Sequence, residues 1–456
     1  MKSKVNKNFF LCFVIYISIL LTLTSTWTNN ILHIPAFVNK VNTILMYIPF
    51  ALVIVVKLIQ DVKEKRNIRG MPIECIYYLF ALYYAVITGY RFLTGMEVKE
   101  NLYYSIIFFG TIAFYLLLRS KKIRVSKSDL VANLLWVDLF LVLYRLCYCL
   151  IGTHFFQYPP ININITSGAV ALLTPFVGNW LINEGASKRD RILCWTALCG
   201  NLVVILTTGA RAIFYLVVTV VVAILVFNLN NRKGILRAMA SLLLGCLVVL
   251  ILVLGDVGDV RYSIYRQTGL SLETMDFFGS NRHEPDGSTE PIVTEPIVTE
   301  PISTDDSEDA LKHEAEEQAS RSDYMRKYLI QCGIDQIKMN PLVGTGDVMY
   351  EYQLGNYRTI QSSHNFVIEV LVCYGTIGLV MIAVLFIALV IDTKLFVKST
   401  RGARKHKEVL ALTILFYFAF GFVQPVVFDV LICPLFVVIV AACREVLLEE
   451  NIEGHE

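Results

Sequence analysis

A histidine and an asparagine stand side by side in "QSSHNFVIEVLVCYGTIG" (361–378), where the chain passes from polar residues into a long apolar run. An imidazole titrates near neutral pH and can take a proton from a weakly acidic hydroxyl in a transition state. His364 is therefore a candidate general base, with interfacial anchoring as the competing explanation. Arg211, Arg261, Arg266, Arg321 and Arg326 are the cations that topology brings to the same side. Arginine stays charged beside lipid and makes paired hydrogen bonds to phosphate oxygens. A base with such cations suits sugar transfer from a lipid-linked diphosphate to a sugar hydroxyl, because the leaving group is multiply negative. Arg211 could also snorkel at a hairpin, and Arg261 and Arg266 stay open between phosphate binding and structure. Glu369, five residues past His364, is a candidate to orient it.

The elements that must hold these residues are membrane helices. Of 456 residues 55% are hydrophobic and 17% charged, against about 25% charged in soluble domains. The apolar residues gather into runs of the roughly 20 residues needed to cross hydrocarbon. Twelve spans are expected, near 9–28, 41–60, 72–90, 101–118, 130–152, 166–184, 191–208, 212–228, 238–254, 365–391, 409–428 and 429–444. The first lacks a small-residue cleavage exit and reads as a span, not a removed signal. As one helix 192–228 would run about 55 Å, so the chain must turn, and "TTGAR" (207–211) offers the break.

Orientation follows the basic residues. With a cytoplasmic N-terminus, the inner loops receive 25 Lys and Arg and the short outer loops four: Lys40, Arg91, Lys99 and Arg211. Such asymmetry sets topology. Residues 1–254 then hold spans one to nine, 255–363 form one large extracytoplasmic loop, 364–444 hold spans ten to twelve, and 445–456 are a cytoplasmic tail. Inside the loop, 280–320 is an acidic insertion with the five-residue repeat "TEPIVTEPIVTEPIST" (289–304). Repeated proline and the lack of an apolar face make it a solvated spacer. Residues 321–346 carry helical spacing at Tyr324, Tyr328, Ile330, Ile334 and Ile337, ended by "PLVGTG". Asp138 and Arg145, two turns apart on the fifth span, read as a structural pair, since charges in a membrane face a bundle interior.

"NPLVGTG" followed by "HNFVIEVLVCYGTIGLV" resembles the signature of the O-antigen polymerase and O-antigen ligase family of bacterial surface-polysaccharide enzymes. "TTGARAIFYLVV" is similar to that family's arginine-bearing outer hairpin between spans seven and eight. The resemblance implies an all-α, GT-C-like integral membrane glycosyltransferase in the bacterial cytoplasmic membrane, with about twelve transmembrane helices and the large loop between spans nine and ten. It implies that His364 is catalytic and that the five arginines bind diphosphate, with Asn365, Glu369, Gly344 and Gly346 supporting them. Two arginines, Arg321 and Arg326, precede the glycine turn where the family has one, and the TEP repeat is extra.

The expected partners are polyprenyl-diphosphate-linked oligosaccharides, the lipid bilayer, and the chain-length regulator and flippase of the same pathway; nucleic acid is not among them. Residues 28–40, "TNNILHIPAFVNK", contain no acidic residue, unlike the first outer loop of metal-dependent oligosaccharyltransferases. The seven histidines are dispersed, no metal-ligand spacing is visible, and no cofactor motif sits in context. The expectation is a metal-independent, cofactor-free polymerase of lipid-linked repeat units. A ligase moving finished glycan to another acceptor is the alternative, and a flippase for the same lipid the competitor from another class. A flippase predicts inverted repeats, and the two halves show no similarity.

Overall fold

In hydrocarbon only an internal ladder satisfies backbone N–H and C=O groups, so apolar runs of this length must fold as helices. The structure, a computed structural model, describes residues 36–64, 72–95, 98–120, 127–147, 163–182, 188–208, 210–255, 324–354, 357–396, 401–424, 426–429 and 431–453, with 257, 260, 263 and 264 besides. Its helices are α1 (Ala36–Glu64), α2 (Pro72–Leu93), α3 (Lys99–Arg119), α4 (Lys127–Cys147), α5 (Ile163–Ile182), α6 (Lys188–Thr207), α7 (Arg211–Phe227) and α8 (Arg232–Leu254). After these come α9 (324–339), the strands β1 (Tyr350–Leu354) and β2 (Tyr357–Gln361), then α10 (Phe366–Asp392), α11 (Arg401–Gly421) and α12 (Ile432–Glu453). The expected span 9–28 and the TEP repeat lie outside the described residues. Among the described residues six helices, α2, α3, α5, α6, α8 and α10, are long and apolar enough to cross a membrane by length and composition.

The helices start and end where charge and special residues dictate. α6 stops at Thr207 and α7 starts at Arg211, with Ala210 non-helical between them, so the chain turns at "TTGAR". α11 starts at Arg401, earlier than the expected 409. It ends at Gly421, and the residues before α12 form turns.

α5 is the most enclosed of the six spans. Its Gly168 admits the ring of Phe420 from α11, where a Cβ would stand 2.3 Å from Cε1. A Cβ on Gly110 of α3 would stand 2.8 Å from the Phe50 carbonyl oxygen of α1. Small residues let helices approach where lipid offers no hydrophobic drive to associate. Leu236, Leu243 and Ile251 on α8 and Leu82, Val86 and Leu93 on α2 point outward. An apolar surface this wide suits lipid.

Two ends of the bundle can be told apart by contacts. Gly168 near the start of α5 meets Phe420 near the end of α11, and Gly178 near the end of α5 meets Ile224 near the end of α7. The start of α7, with Arg211, therefore shares an end with the last turn of α11. The head of α10 joins them there, since Asn365 Nδ2 donates to the Phe422 carbonyl at 3.3 Å. At the opposite end Asp392 accepts from Tyr115 Oη (2.7 Å), Arg119 Nε (2.9 Å) and Arg444 Nε (3.0 Å), tying α10 to α3 and α12.

Between α8 and α10 stand α9 and an antiparallel hairpin in which Tyr350 pairs with Gln361 and Leu354 with Tyr357. Tyr350 and Tyr352, two apart and so on one face, pack on Leu329, Met325 and Cys332 of α9. The buried face of α9 is thus 325, 329, 332 and 333. Of the expected stripe, Ile330 and Ile337 are half-buried, Ile337 against the main core, whereas Tyr324, Tyr328 and Ile334 are exposed, Tyr328 keeping a ring contact with Tyr352 at the edge of the hairpin.

Candidate functional site

Four residues carry the chain from β2 into α10, and the third is His364. Its backbone is left-handed, with φ 53°. That conformation costs an ordinary residue ~1–2 kcal/mol and glycine almost nothing. The imidazole is therefore placed here in spite of the backbone. Asn365 follows as the N-cap: its Oδ1 accepts from the Val367 and Ile368 amides at 3.0 and 3.2 Å, satisfying first-turn donors. With Nδ2 on Phe422, one side chain starts the helix and fixes its head to α11. Phe366 adds ring contacts with Phe418 and Phe422.

α9 crosses this head at Gly333, where a Cβ would lie 2.4 Å from Ile368 Cγ2. Arg326, two turns earlier on α9 and half-buried, is brought within electrostatic reach of His364. Burial first, and the Arg326 charge second, hold the imidazole below the ordinary histidine range. A base held neutral is ready to accept a proton. Glu369 is fully buried in the first turn of α10. Its carboxylate lies near the Ser362 hydroxyl and the backbone N–H of His364, in contacts looser than normal hydrogen bonds. Tyr350 stands beside Gly333, its hydroxyl buried and without a hydrogen-bond partner. Burial pushes that phenol up, so it stays a proton donor.

The glycine turn does a different job from the one its spacing suggests. α10 is broken at Gly375 (φ 66°, ψ −170°), a region of backbone space open only to glycine. The turn fills the break. The amides of Thr376 and Ile377 donate to the Pro341 and Leu342 carbonyls at 2.9 and 3.2 Å, and Gly346 N–H donates to the Val372 carbonyl at 2.9 Å. Gly344 and Gly346 have φ of 72° and 88°, and Cβ atoms there would strike the Val372 carbonyl and Arg91. Arg91, 1% exposed, donates from Nη2 to the Cys373 carbonyl at 2.7 Å and the Val343 carbonyl at 2.8 Å. Tyr83 Oη donates to the Tyr374 carbonyl at 2.6 Å. The break's freed carbonyls at 372, 373 and 374 and its freed amides at 376 and 377 thus all find partners, as a low-dielectric setting requires.

His364, Asn365, Glu369 and Arg326 come together, with Gly344 and Gly346 below them at the break. Arg211 is exposed at the first position of α7, at the same end of the bundle. A helix N-terminus disfavours a cation, so helix stability does not explain it. Arg261, Arg266 and Arg321 lie outside the described residues. Asp138 and Arg145 do not form the expected pair. Both carboxylate oxygens of Asp138 lack a hydrogen-bond partner, while Arg145 Nη2 donates to the Thr207 carbonyl at 2.5 Å. Two helical turns separate Asp138 from Arg145 by about 10 Å, and the open end of α6 offers a nearer acceptor. Arg91 and Tyr350 are new to the site. A lone arginine closing an apolar helix signals only snorkelling. Tyr350 could have been found from the alternation in "YEYQLGNYRTIQ". Among the described residues no group of His, Cys, Asp and Glu is arranged to hold a metal ion.

A comparison with curated proteins finds no match. A comparison with family models matches residues 192–383 to the family described as O-antigen ligase. That stretch begins in α6, takes in Arg211, α9, the glycine turn and His364, and ends in the lower part of α10. Over 192–383, then, the chain is similar to the O-antigen ligase family, in the stretch that holds its hairpin arginine, glycine turn and His-Asn pair.

Proposed function

We propose that the protein is an integral membrane glycosyltransferase that polymerises polyprenyl-diphosphate-linked oligosaccharide units into a surface polysaccharide. The observation that carries this reading is the half-buried, neutral-leaning His364 beside Arg326 at the head of α10, inside the family match. The sugar hydroxyl of an incoming unit attacks the anomeric carbon of the growing chain. The bond from that carbon to the diphosphate oxygen breaks as the hydroxyl proton passes to His364. Arg326 and Arg211, with Arg321, Arg261 and Arg266 as further candidates, hold the diphosphate. Its charge offsets Arg326, so the imidazole gains proton affinity as substrate binds. Residues 255–363 face outside and both termini the cytoplasm, which is the side assignment that such donors need.

The similarity to the O-antigen ligase family favours a second reading, a ligase that moves finished glycan to another acceptor. Purified protein given only a lipid-diphosphate oligosaccharide separates the two. A ladder of lengthened chains with released polyprenyl diphosphate supports the polymerase. Transfer only after a second acceptor is added supports the ligase. Movement of the lipid across vesicles with no new glycosidic bond overturns both in favour of a flippase.

A further inference from the structure

Arg91 is the largest fully buried side chain among the described residues, and it spends one nitrogen on two backbone carbonyls from different parts of the chain. Cys373 belongs to the upper half of α10, residues 366–374, and Val343 to the glycine turn. A buried guanidinium is costly unless its contacts are specific, and nothing in helix packing alone calls for one at the end of α2. What it joins is informative. The upper half of α10 carries Glu369 and the Asn365 cap, and His364 precedes it directly. This half-helix is not continuous with the lower half through its backbone ladder, because Gly375 interrupts it. Its top is fixed by Asn365 to Phe422. Its bottom is fixed by Gly346 N–H on Val372, Arg91 on Cys373 and Tyr83 on Tyr374.

We propose that Arg91 is a positioning residue for transfer: it closes the broken α10 onto the glycine turn and so sets the place of His364 relative to substrate. This deepens the glycosyltransferase reading and rests on it. Arg91 does not touch the diphosphate in this role, because Nη2 is taken by the two carbonyls and Nη1 lies against Gly346, where a Cβ would come within 2.7 Å of it. Since a single nitrogen makes both bonds, a lysine ammonium, with three donors, can replace it in part. At a site that grips phosphate by a paired contact, lysine serves poorly.

The experiment is the pH dependence of turnover by purified wild type, Arg91→Ala and Arg91→Lys on a lipid-diphosphate oligosaccharide. The groups facing His364 are Arg326 from α9 and the buried Glu369 of α10, which reaches its backbone N–H. In Arg91→Ala the upper half-helix loosens and the imidazole is less buried. Its acid limb is expected to move to higher pH, toward the ordinary histidine value of ~6.5, while turnover falls roughly 10-fold or more and KM for the lipid donor changes little. Arg91→Lys recovers most of the turnover and the wild-type limb. A lower rate with an unmoved limb, as a smaller folded fraction would give, overturns the inference. So does a raised KM with kcat retained, which would make Arg91 a substrate contact. If Arg91→Ala does not reach the membrane, Gly346→Ala asks the same question by pushing a methyl onto Nη1, and the same two results decide it. His364→Ala, run beside them, keeps the two claims apart. An active His364→Ala sinks the glycosyltransferase mechanism itself, whereas an inactive one with a wild-type-like Arg91→Ala sinks only the role of Arg91.

Discussion

Arg326 on α9 and His364 at the head of α10 stand within electrostatic reach of one another, although 38 positions of sequence separate them. Burial is the larger influence on the imidazole and the Arg326 charge the smaller, and both lower its proton affinity. A depressed histidine is neutral above its own pKa, so base-dependent turnover is present there and is lost as pH falls through it. Arg326→Gln removes the smaller influence. The acid limb is expected to move up by less than about one pH unit, because solvent and salt screen a half-buried charge. Turnover above the limb falls as well, through loss of a diphosphate contact. An unmoved limb would place Arg326 away from the reacting histidine.

His364→Ala is expected to lose transfer by roughly 10²–10⁴-fold, the usual worth of a general base, while still binding the lipid-linked donor. His364→Tyr distinguishes base from interfacial anchor, since tyrosine is at ease at the membrane surface. Near wild-type polymerisation by the tyrosine variant would mean that the side chain only anchors.

Gly375→Ala tests the break in α10. Its φ of 66° and ψ of −170° suit glycine alone, and a methyl there would lie 2.1 Å from the Leu342 carbonyl. Left-handed strain of ~1–2 kcal/mol and overpacking of ~1–3 kcal/mol should lower the thermal midpoint in detergent and abolish transfer. A variant with wild-type stability would mean that α10 can run unbroken.

Arg211→Ala should cripple turnover and Arg211→Lys restore only a part, since lysine lacks the paired geometry for phosphate. Release of polyprenyl diphosphate, measured with saturating donor, reads this out. Full activity in the alanine variant would leave Arg211 as an anchor of the α6–α7 turn.

Removal of residues 289–304 should leave transfer within a few-fold of wild type, because a solvated proline-rich spacer adds little to packing. A deletion protein that inserts normally but has lost activity would make the repeat a substrate-binding element.

By itself the sequence determined what period and local chemistry encode. Apolar runs gave the helices, "TTGAR" the turn before α7, "PLVGTG" the end of α9, and His364-Asn365 the start of α10, because each depends on neighbours within a few residues. The hairpin was also legible: Tyr350, Tyr352 and Leu354 alternate, and Gly-Asn separates them from a second alternating run. Tertiary structure alone decided the rest. Which face of α9 is buried depends on a hairpin that follows it. That Arg326 reaches His364 depends on the close crossing at Gly333. Gly375 gave no warning of the break, since a lone glycine is tolerated in a helix. An interrupted ladder survives there only because Arg91, Tyr83 and the glycine turn satisfy its freed groups from distant parts of the chain. Asp138 and Arg145 fail to pair for the same reason: the end of α6 offered the arginine a nearer acceptor. Hydrogen-bond partners far apart in sequence leave no periodic trace, and at this site they set the position of the chemistry.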